Sequence, residues 1–222
     1  MAENRTEGTD YYQSLRDEMV EHQIKARGVH DPRVLEAMRR IPRHLFVPEP
    51  NKPRAYEDKP LPVGEGQTIS QPYIVGWMTE LLRLDGHETV LEIGTGTGYQ
   101  AAILGILARK VYTMERLEPL AKSARRRLEK LGFKNIEVTV GDGSKGFPEH
   151  APYHGIIVTA GSPQVPQALV EQLADGGRLV IPVGTSSMQM LTIVEKHGDT
   201  ISSTEKGSCV FVPLVGKYGW RP

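Results

Sequence analysis

The middle of the chain alternates short apolar runs with longer segments in which apolar residues recur at helical spacing. The apolar runs predict strands, and the periodic segments predict helices. The predicted strands are residues 89–93, 111–114, 136–140, 156–159 and 178–183, and the predicted helices are residues 99–108, 117–131 and 165–173. Because strands that alternate with helices form βαβ units, this region predicts an α/β fold with a doubly wound, mostly parallel sheet.

The chain on either side of this region follows other patterns. Before it, helical spacing predicts helices at residues 12–26, 31–41 and 73–84, the second of them opened by an Asp31-Pro32 cap. A run of prolines predicts a loop or extended arm at residues 48–62. After Gly184 the helical spacing is lost, and residues 188–195 and 208–215 are expected to finish the sheet as antiparallel strands. The chain is expected to form one domain. It consists of a disordered start (residues 1–10), a helical segment (11–85), an α/β core (86–184) and a β-rich tail (185–222).

The composition is that of an ordinary globular protein. Lys and Arg together number 27, as do Asp and Glu, so there is no cationic excess and nucleic acid is not an expected partner. The histidines are scattered and the single cysteine, Cys209, allows no disulfide, so a structural thiol and no metal site are expected. No apolar stretch is long enough for a membrane span or a signal peptide, which favours a cytoplasmic protein, with a monomer as the default.

The sharpest motif is a glycine-rich loop between the first predicted core strand and the helix that follows it. Gly94, Gly96 and Gly98 let the backbone turn tightly and approach a ligand closely, although a plain strand-to-helix turn remains the alternative for the triplet alone. The third glycine of a dinucleotide fingerprint would stand at position 99, which is Tyr99. No Gly-Lys-Ser/Thr follows either, so the phosphate-binding motifs are not matched.

Acidic residues follow the next two predicted strands. Glu115 can accept hydrogen bonds from both hydroxyls of a ribose, the alternative being an ion pair with Arg116. Asp142, in a Gly-Asp-Gly turn, can accept from an exocyclic amine such as that of adenine, the alternative being an Asx turn. Parallel strands bring the loops at their carboxyl ends to one edge of the sheet, so the loops after Ile93, Met114, Val140 and Thr159 are expected to surround one nucleoside site.

The segments VLEIGTGTGYQ, VYTMER and VGDG resemble the S-adenosylmethionine site of the Rossmann-like class I methyltransferases. The resemblance implies that the glycines approach the methionine part of the cofactor, that Glu115 holds the ribose, and that Asp142 and Gly143 hold the adenine. Glu92 would lie beneath the loop and orient it or meet the amino group. The expected cofactor-binding residues are Glu92, Gly94, Thr95, Gly96, Thr97, Gly98, Glu115, Asp142 and Gly143.

A second resemblance is more specific. The segment GEGQTISQPY at residues 64–73 resembles the substrate-side signature of protein-L-isoaspartate O-methyltransferases, and further shared motifs extend over residues 19–216. The resemblance implies a repair enzyme that methylates the α-carboxylate of L-isoaspartyl residues in damaged proteins and peptides, with S-adenosylhomocysteine as the other product. The methyl ester then collapses to a succinimide. One departure is His154, where the family usually has Asp; that position is expected to be structural.

The same resemblance implies that Ser70 is the active-site residue and that Thr68, Ile69 and Gln71 line the substrate path, the alternative being that residues 68–72 merely cap the next helix. A substrate carboxylate with a pKa of about 3.5 is already ionised, so no general base is needed and Ser70 would position the carboxylate. Val212 is expected to bind substrate, because residues 209–213 could offer strand-edge groups to an extended peptide or else form an ordinary internal strand.

Two other functions share part of this evidence. A methyltransferase acting on a small molecule or RNA would share the cofactor half, and residues 64–73 argue against it. A catalytically silent module that only binds the cofactor or damaged protein is a second alternative. The intact glycine loop, Glu115 and Ser70 argue against a loss of activity.

Overall fold

The structure, a computed structural model, describes the backbone of residues 3–221 and the side chains of residues 11–221. The chain divides into two compact units, Met1–Glu80 and Leu81–Pro222. The second unit therefore begins at Leu81, whereas the sequence predicts that the α/β core begins at residue 86.

The first unit contains helices, short turns and one hairpin. In chain order they are helix α1 (Glu3–Glu18), a π-helical turn (Met19–Ile24), a 3₁₀ turn (Lys25–Arg27) and helix α2 (Pro32–Arg40). Two further 3₁₀ turns (Arg43–Phe46 and Glu49–Arg54), strands β1 (Leu61–Gly64) and β2 (Gln67–Ile69), and helix α3 (Pro72–Leu81) follow. The Asp31 carboxylate accepts a hydrogen bond from the Arg33 N–H at 2.8 Å, which caps helix α2 as the sequence predicts. The two residues of the hairpin turn, Glu65 and Gly66, both have positive φ, as a tight hairpin requires.

Two predictions for this unit differ from the structure. Helix α1 begins at Glu3, within the ten residues predicted to be disordered, because a helix already formed is extended cheaply by one hydrogen bond per residue; Met1 and Ala2 lie outside the described residues. The proline-rich stretch 48–62 is not only a loop, since it contains the turn Glu49–Arg54 and the start of β1. A proline in the first turn of a helix loses no hydrogen bond, which makes such a turn possible.

The second unit is a seven-stranded sheet with helices. Its elements are β3 (Thr89–Ile93), α4 (Tyr99–Leu107), β4 (Lys110–Glu115), α5 (Glu118–Lys130), β5 (Ile136–Val140), β6 (Tyr153–Val158), α6 (Gln167–Glu171), β7 (Leu173–Gly184), β8 (Gln189–His197) and β9 (Thr200–Cys209). The strand order is β5-β4-β3-β6-β7-β8-β9, with the first five parallel and β8 and β9 antiparallel. Its core is formed by apolar residues such as Leu91, Ile156, Val158, Leu179 and Ile181. The predicted doubly wound, mostly parallel sheet with an antiparallel end is confirmed.

Two predicted elements of this unit are wrong in extent. The last strand is β9, Thr200–Cys209, and not residues 208–215; beyond Cys209 the chain forms only isolated bridges such as Gly161↔Pro213. Proline has no N–H to give to a strand ladder, so Pro213 interrupts regular pairing there. The helix predicted at 165–173 is reduced to Gln167–Glu171, because Pro166 precedes it in an extended conformation and Leu173 already pairs with Tyr153 as the start of β7.

No helix within the described residues is long and apolar enough to cross a membrane.

Candidate active site

The carboxyl ends of four neighbouring strands form the site. Strand β3 lies between β4 and β6, so the strand order reverses there and leaves the crevice in which such sheets bind ligands. Backbone hydrogen bonds join the loops: Gly94 N–H donates to Met114 O at 2.8 Å, Gly141 N–H to Glu115 O at 3.0 Å, and Thr159 N–H to Ile93 O at 2.9 Å. The predicted grouping of the loops after β3, β4, β5 and β6 is therefore confirmed.

The three loop glycines all have positive φ, but the space around them differs. A Cβ on Gly94 would lie 2.4 Å from Thr159 Oγ1, a hydroxyl that donates to Gly94 O at 2.7 Å. A Cβ on Gly98 would lie 3.4 Å from Leu128 of helix α5. A Cβ on Gly96 would meet nothing within 4 Å. Gly94 and Gly98 therefore permit packing of the loop against the protein, whereas Gly96 leaves open space.

Glu115 anchors the middle of this loop. Its side chain is buried, one carboxylate oxygen accepts from Gly96 N–H at 2.9 Å, and the other accepts from Leu117 N–H at 3.0 Å. No ion pair joins Glu115 to Arg116 among the described residues, so the alternative given for this acid is not formed. Each carboxylate oxygen can accept a second hydrogen bond, which leaves room for two hydroxyl donors.

Glu92 lies beneath the loop, in β3, and is completely buried. Thr113 donates to Glu92 Oε2 at 2.5 Å and exchanges a hydrogen bond of 2.6 Å with Thr95, so the carboxyl is linked to the glycine loop. Burial raises the pKa of Glu92 to about 8, with the Thr113 hydrogen bond opposing that rise and the charge of Glu115 adding to it. The other oxygen, Oε1, is buried without a partner among the described residues. An unsatisfied buried acceptor is costly, and a cationic donor would satisfy it.

Asp142 forms the predicted alternative, an Asx turn, and does more. One carboxylate oxygen accepts from Ser144 N–H at 3.0 Å and from Ser144 Oγ at 2.6 Å, and the other accepts from Lys217 N–H at 2.8 Å. Burial raises the pKa of Asp142, but these hydrogen bonds outweigh burial and hold the pKa below its usual range. One acceptor position remains on the second oxygen, so an adenine role for Asp142 stays a prediction. Gly143 is required by packing, since its Cβ would lie 2.4 Å from Ile93 Cγ2.

Sequence reasoning assigned Val212 of the C-terminal tail to the substrate, but it did not predict that residues 217–220 contact the loops after β5 and β6. Tyr218 N–H donates to Ser144 Oγ at 3.0 Å, and Trp220 Nε1 donates to Gly161 O at 3.0 Å. Gly216 marks the close approach, because its Cβ would lie 2.0 Å from Asp142 Oδ1. The glycine at 216 was the only local signal, and it does not identify its partner.

Arg127 of helix α5 contacts the glycine loop. Most basic residues of helix α5 are exposed, but Arg127 is half-buried and donates from Nη1 to Thr97 O at 2.7 Å. Burial lowers the pKa of Arg127. The residue therefore supports the glycine loop from the helix side.

Val212 does not lie in a strand. Its carbonyl accepts from Gly161 N–H at 2.8 Å, and Gly161 O accepts from Leu214 N–H at 2.8 Å, so residues 212–214 bridge to the loop after β6. Only Cys209 of residues 209–213 belongs to β9, so the expectation that this segment offers backbone groups to a peptide is not supported by a regular strand. A substrate contact by Val212 stays a prediction without that argument. Cys209 is buried, and burial raises its pKa to about 11, as a structural thiol requires.

The segment expected to face substrate lies in the first unit. Thr68 is exposed and Ile69 buried in β2, and Ser70 follows directly, half-buried. Gln71 donates from its side chain to Asp58 O at 3.1 Å and accepts the first helical hydrogen bond from Val75 N–H at 3.2 Å. Helix α3 therefore begins at this segment, but no side chain of residues 68–71 caps it among the described residues of this unit.

His154, the departure from the expected pattern, lies far from these loops along the strand. It is exposed near the start of β6 and accepts a hydrogen bond from Thr89 N–H at 3.2 Å, at the amino-terminal end of β3. The site is at the opposite ends of the same strands. His154 therefore has a structural environment, as expected.

The parallel sheet, the glycine loop at its switch point and the acid at the end of β4 define a class I S-adenosylmethionine-dependent methyltransferase. The chain belongs to the protein-L-isoaspartate(D-aspartate) O-methyltransferase family, whose model matches residues 14–219. It is 56% identical over 210 residues to protein-L-isoaspartate O-methyltransferase 1 of Syntrophobacter fumaroxidans, covering 95% of this chain and 98% of that one. It is 57% identical over 206 residues to the protein-L-isoaspartate O-methyltransferase of Geobacter metallireducens, covering 92% and 95%.

Solved structures show the same fold. A protein-L-isoaspartate O-methyltransferase, 32% identical, superposes with a TM-score of 0.84 over 92% of this chain and 67% of that one. A Plasmodium falciparum protein solved in complex with S-adenosyl-L-homocysteine, 22% identical, gives a TM-score of 0.78 over 90% and 98%. The second likeness is one of fold alone.

Proposed function

We propose that this chain transfers a methyl group from S-adenosylmethionine to the α-carboxylate of L-isoaspartyl residues in damaged proteins and peptides. The observation that carries the proposal is the family match over residues 14–219 of a chain whose glycine loop is hydrogen-bonded to the strand-end acid Glu115. The methyl ester formed would collapse to a succinimide when the neighbouring backbone nitrogen attacks the ester carbonyl and methanol leaves, and water would then open the ring in part to normal aspartate.

The described residues fit the cofactor in two respects. The unsatisfied Oε1 of Glu92 offers a buried acceptor to an amino group, and the open space at Gly96 admits a ligand close to the backbone. We assign the methionine part to Glu92 and the loop 94–98, the ribose to Glu115, and the adenine to Asp142 and Gly143. S-adenosylmethionine bound there would supply a methyl group carried on a sulfonium sulfur. After transfer of the methyl group, the sulfur remains in S-adenosylhomocysteine as a neutral thioether.

Ser70 is assigned to the substrate carboxylate. That carboxylate is ionised at neutral pH, with a pKa of about 3.5, so the enzyme needs no base to activate it. The Ser70 hydroxyl makes no hydrogen bond within the described residues of its unit, which leaves it able to donate to a carboxylate oxygen and orient it. Thr68, Ile69, Gln71 and Val212 are the further residues that we assign to the substrate.

The surroundings of the reaction follow from charge and redox chemistry. Equal numbers of basic and acidic residues argue against a nucleic-acid substrate, and a single cysteine, which allows no intrachain disulfide, suits a reducing compartment. We assign the protein to the cytoplasm, as a monomer that acts on proteins and peptides.

Replacing Gly96 with alanine should separate ligand approach from backbone strain. Gly132 is a matched control, since both glycines have positive φ and neither has a neighbour within 4 Å of an added Cβ. Both variants should lose about 1 kcal/mol of unfolding free energy, the cost of alanine in a left-handed conformation. Only Gly96→Ala should also weaken S-adenosylmethionine binding, by about tenfold or more, measured by titration calorimetry. Equal affinity in both variants would show that the ligand does not approach Gly96.

The proposed activity is tested by methyl transfer from radiolabelled S-adenosylmethionine to a peptide containing one L-isoaspartate and to its normal-aspartate twin. We expect base-labile label on the isoaspartyl peptide alone. Label on RNA or a small molecule, with none on the peptide, would favour the alternative methyltransferase. Cofactor binding without label on any acceptor would favour a silent binding module.

A further inference from the structure

Arg43 is a completely buried cation in the first unit. It opens the 3₁₀ turn Arg43–Phe46, and two of its guanidinium nitrogens donate to backbone carbonyls: Nε to Ala55 O at 2.7 Å and Nη2 to Ser70 O at 2.7 Å. Burying a charge is costly unless its donors find partners. The position of this cation is therefore tied to the positions of those two carbonyls.

The carbonyl of Ser70 lies where neither the hairpin nor the helix holds it. Strand β2 ends at Ile69, which pairs with Leu61, and the first hydrogen bond of helix α3 goes to Gln71 O. Gln71 precedes Pro72, and a residue before a proline is kept out of the helical conformation. Gln71 therefore separates Ser70 from the helix that starts at Pro72. Arg43 supplies the hydrogen bond that regular structure does not supply.

We propose that Arg43 is a positioning residue for methyl transfer: it holds the backbone of Ser70 and thereby fixes the Ser70 hydroxyl for the substrate carboxylate. The proposal rests on the proposed function and on the assigned role of Ser70. Arginine suits this task because its planar fork presents several donors in a fixed geometry, so one side chain can span two carbonyls. Lysine offers a single flexible ammonium and cannot reproduce that bridge.

The test introduces Arg43→Lys into the wild-type enzyme, which has Ser70, and into the Ser70→Ala variant. Each product is compared with its own parent. With Ser70 present, the substitution should lower kcat for the isoaspartyl peptide by about tenfold or more, because small misplacements of positioning groups are costly. The dissociation constant of S-adenosylmethionine should stay within about twofold. In the Ser70→Ala background the same substitution should change kcat by less than about twofold, since residues that act as a unit are not additive.

Arg16→Lys is the matched control. Arg16 is also buried in the first unit and donates to a backbone carbonyl, that of Arg39, and to the Tyr56 hydroxyl, but not to Ser70. It should change kcat by less than about twofold in either background, whatever it does to the melting temperature. If Arg43→Lys is unfolded at the assay temperature, Arg43→Gln is tested in the same two backgrounds instead. This substitution removes the buried charge and can donate to one carbonyl.

The outcomes separate this role from the function on which it rests. An active wild-type enzyme with equal losses of kcat in both Ser70 backgrounds, or with equal losses from Arg16→Lys, would overturn the positioning role alone. A folded wild-type enzyme that labels no isoaspartyl peptide would overturn the proposed function, and the role of Arg43 with it.

Discussion

Replacing Glu115 with alanine is expected to weaken the binding of S-adenosylmethionine by about 100-fold or more. The carboxylate is the assigned acceptor for two ribose hydroxyls, and hydrogen bonds to a charged group contribute about 1.5–3 kcal/mol each. It also accepts from Gly96 N–H at 2.9 Å and from Leu117 N–H at 3.0 Å, so the glycine loop loses its anchor at the same time. Titration calorimetry at fixed salt measures the affinity, and thermal unfolding shows whether the sheet survives.

A second glutamate on the neighbouring strand provides the control. Glu137 of β5 is exposed and forms an ion pair of 3.1 Å with Lys110. Glu137→Ala should leave the affinity within about twofold, because exposed ion pairs contribute about 1 kcal/mol or less to stability and Glu137 has no assigned ligand. If Glu115→Ala were folded and bound the cofactor as tightly as Glu137→Ala, the assignment of the ribose to Glu115 would be wrong.

A central strand and an edge strand show why some strands could be predicted and others could not. Strand β3, Thr89–Ile93, is central, and its residues form a nearly continuous apolar run whose predicted bounds match the structure. Strand β9, Thr200–Cys209, is exposed along most of its length, so it has no hydrophobic alternation to detect. Its pairing with β8 comes from the backbone, with His197 opposite Thr200. The Gly198-Asp199 pair between them is a hairpin signal that could have located the strand.

The positions of the assigned site residues could be predicted because each lies at or just after the end of a strand, whereas their hydrogen-bond partners could not. Gly94, Glu115 and Asp142 could be placed at one edge of the sheet from strand order alone. Lys217 is one of the donors to Asp142, and Arg43 is the donor to the Ser70 carbonyl; they are 75 and 27 residues away along the chain. No periodicity or spacing links such pairs. They depend on how loops pack once the strands and helices are in place.

Replacing Glu92 with glutamine is expected to remove a large pH dependence of stability. Burial raises the pKa of Glu92 from 4.5 to about 8, so between these values the folded protein holds a proton that the unfolded chain releases. The contribution of Glu92 to stability is therefore fully present below about pH 4.5 and is lost progressively as the pH rises to about 8. At 1.36 kcal/mol for each unit of pKa difference, the loss amounts to roughly 5 kcal/mol.

Urea unfolding of the wild-type protein and of Glu92→Gln, measured from about pH 5 to pH 9, gives the difference directly, because the other titrating groups are common to both. The wild-type free energy of unfolding should fall relative to that of the variant as the pH rises, by several kcal/mol in all. The amide introduced by Glu92→Gln would still accept from Thr113 while carrying no charge, so the curve of this variant should lack the decline. The exposed Glu137→Gln serves as the control and should run parallel to the wild type. A constant difference between wild type and Glu92→Gln across this range would mean that Glu92 does not hold a proton in the folded chain, and the buried carboxyl would then need a cationic partner even without cofactor.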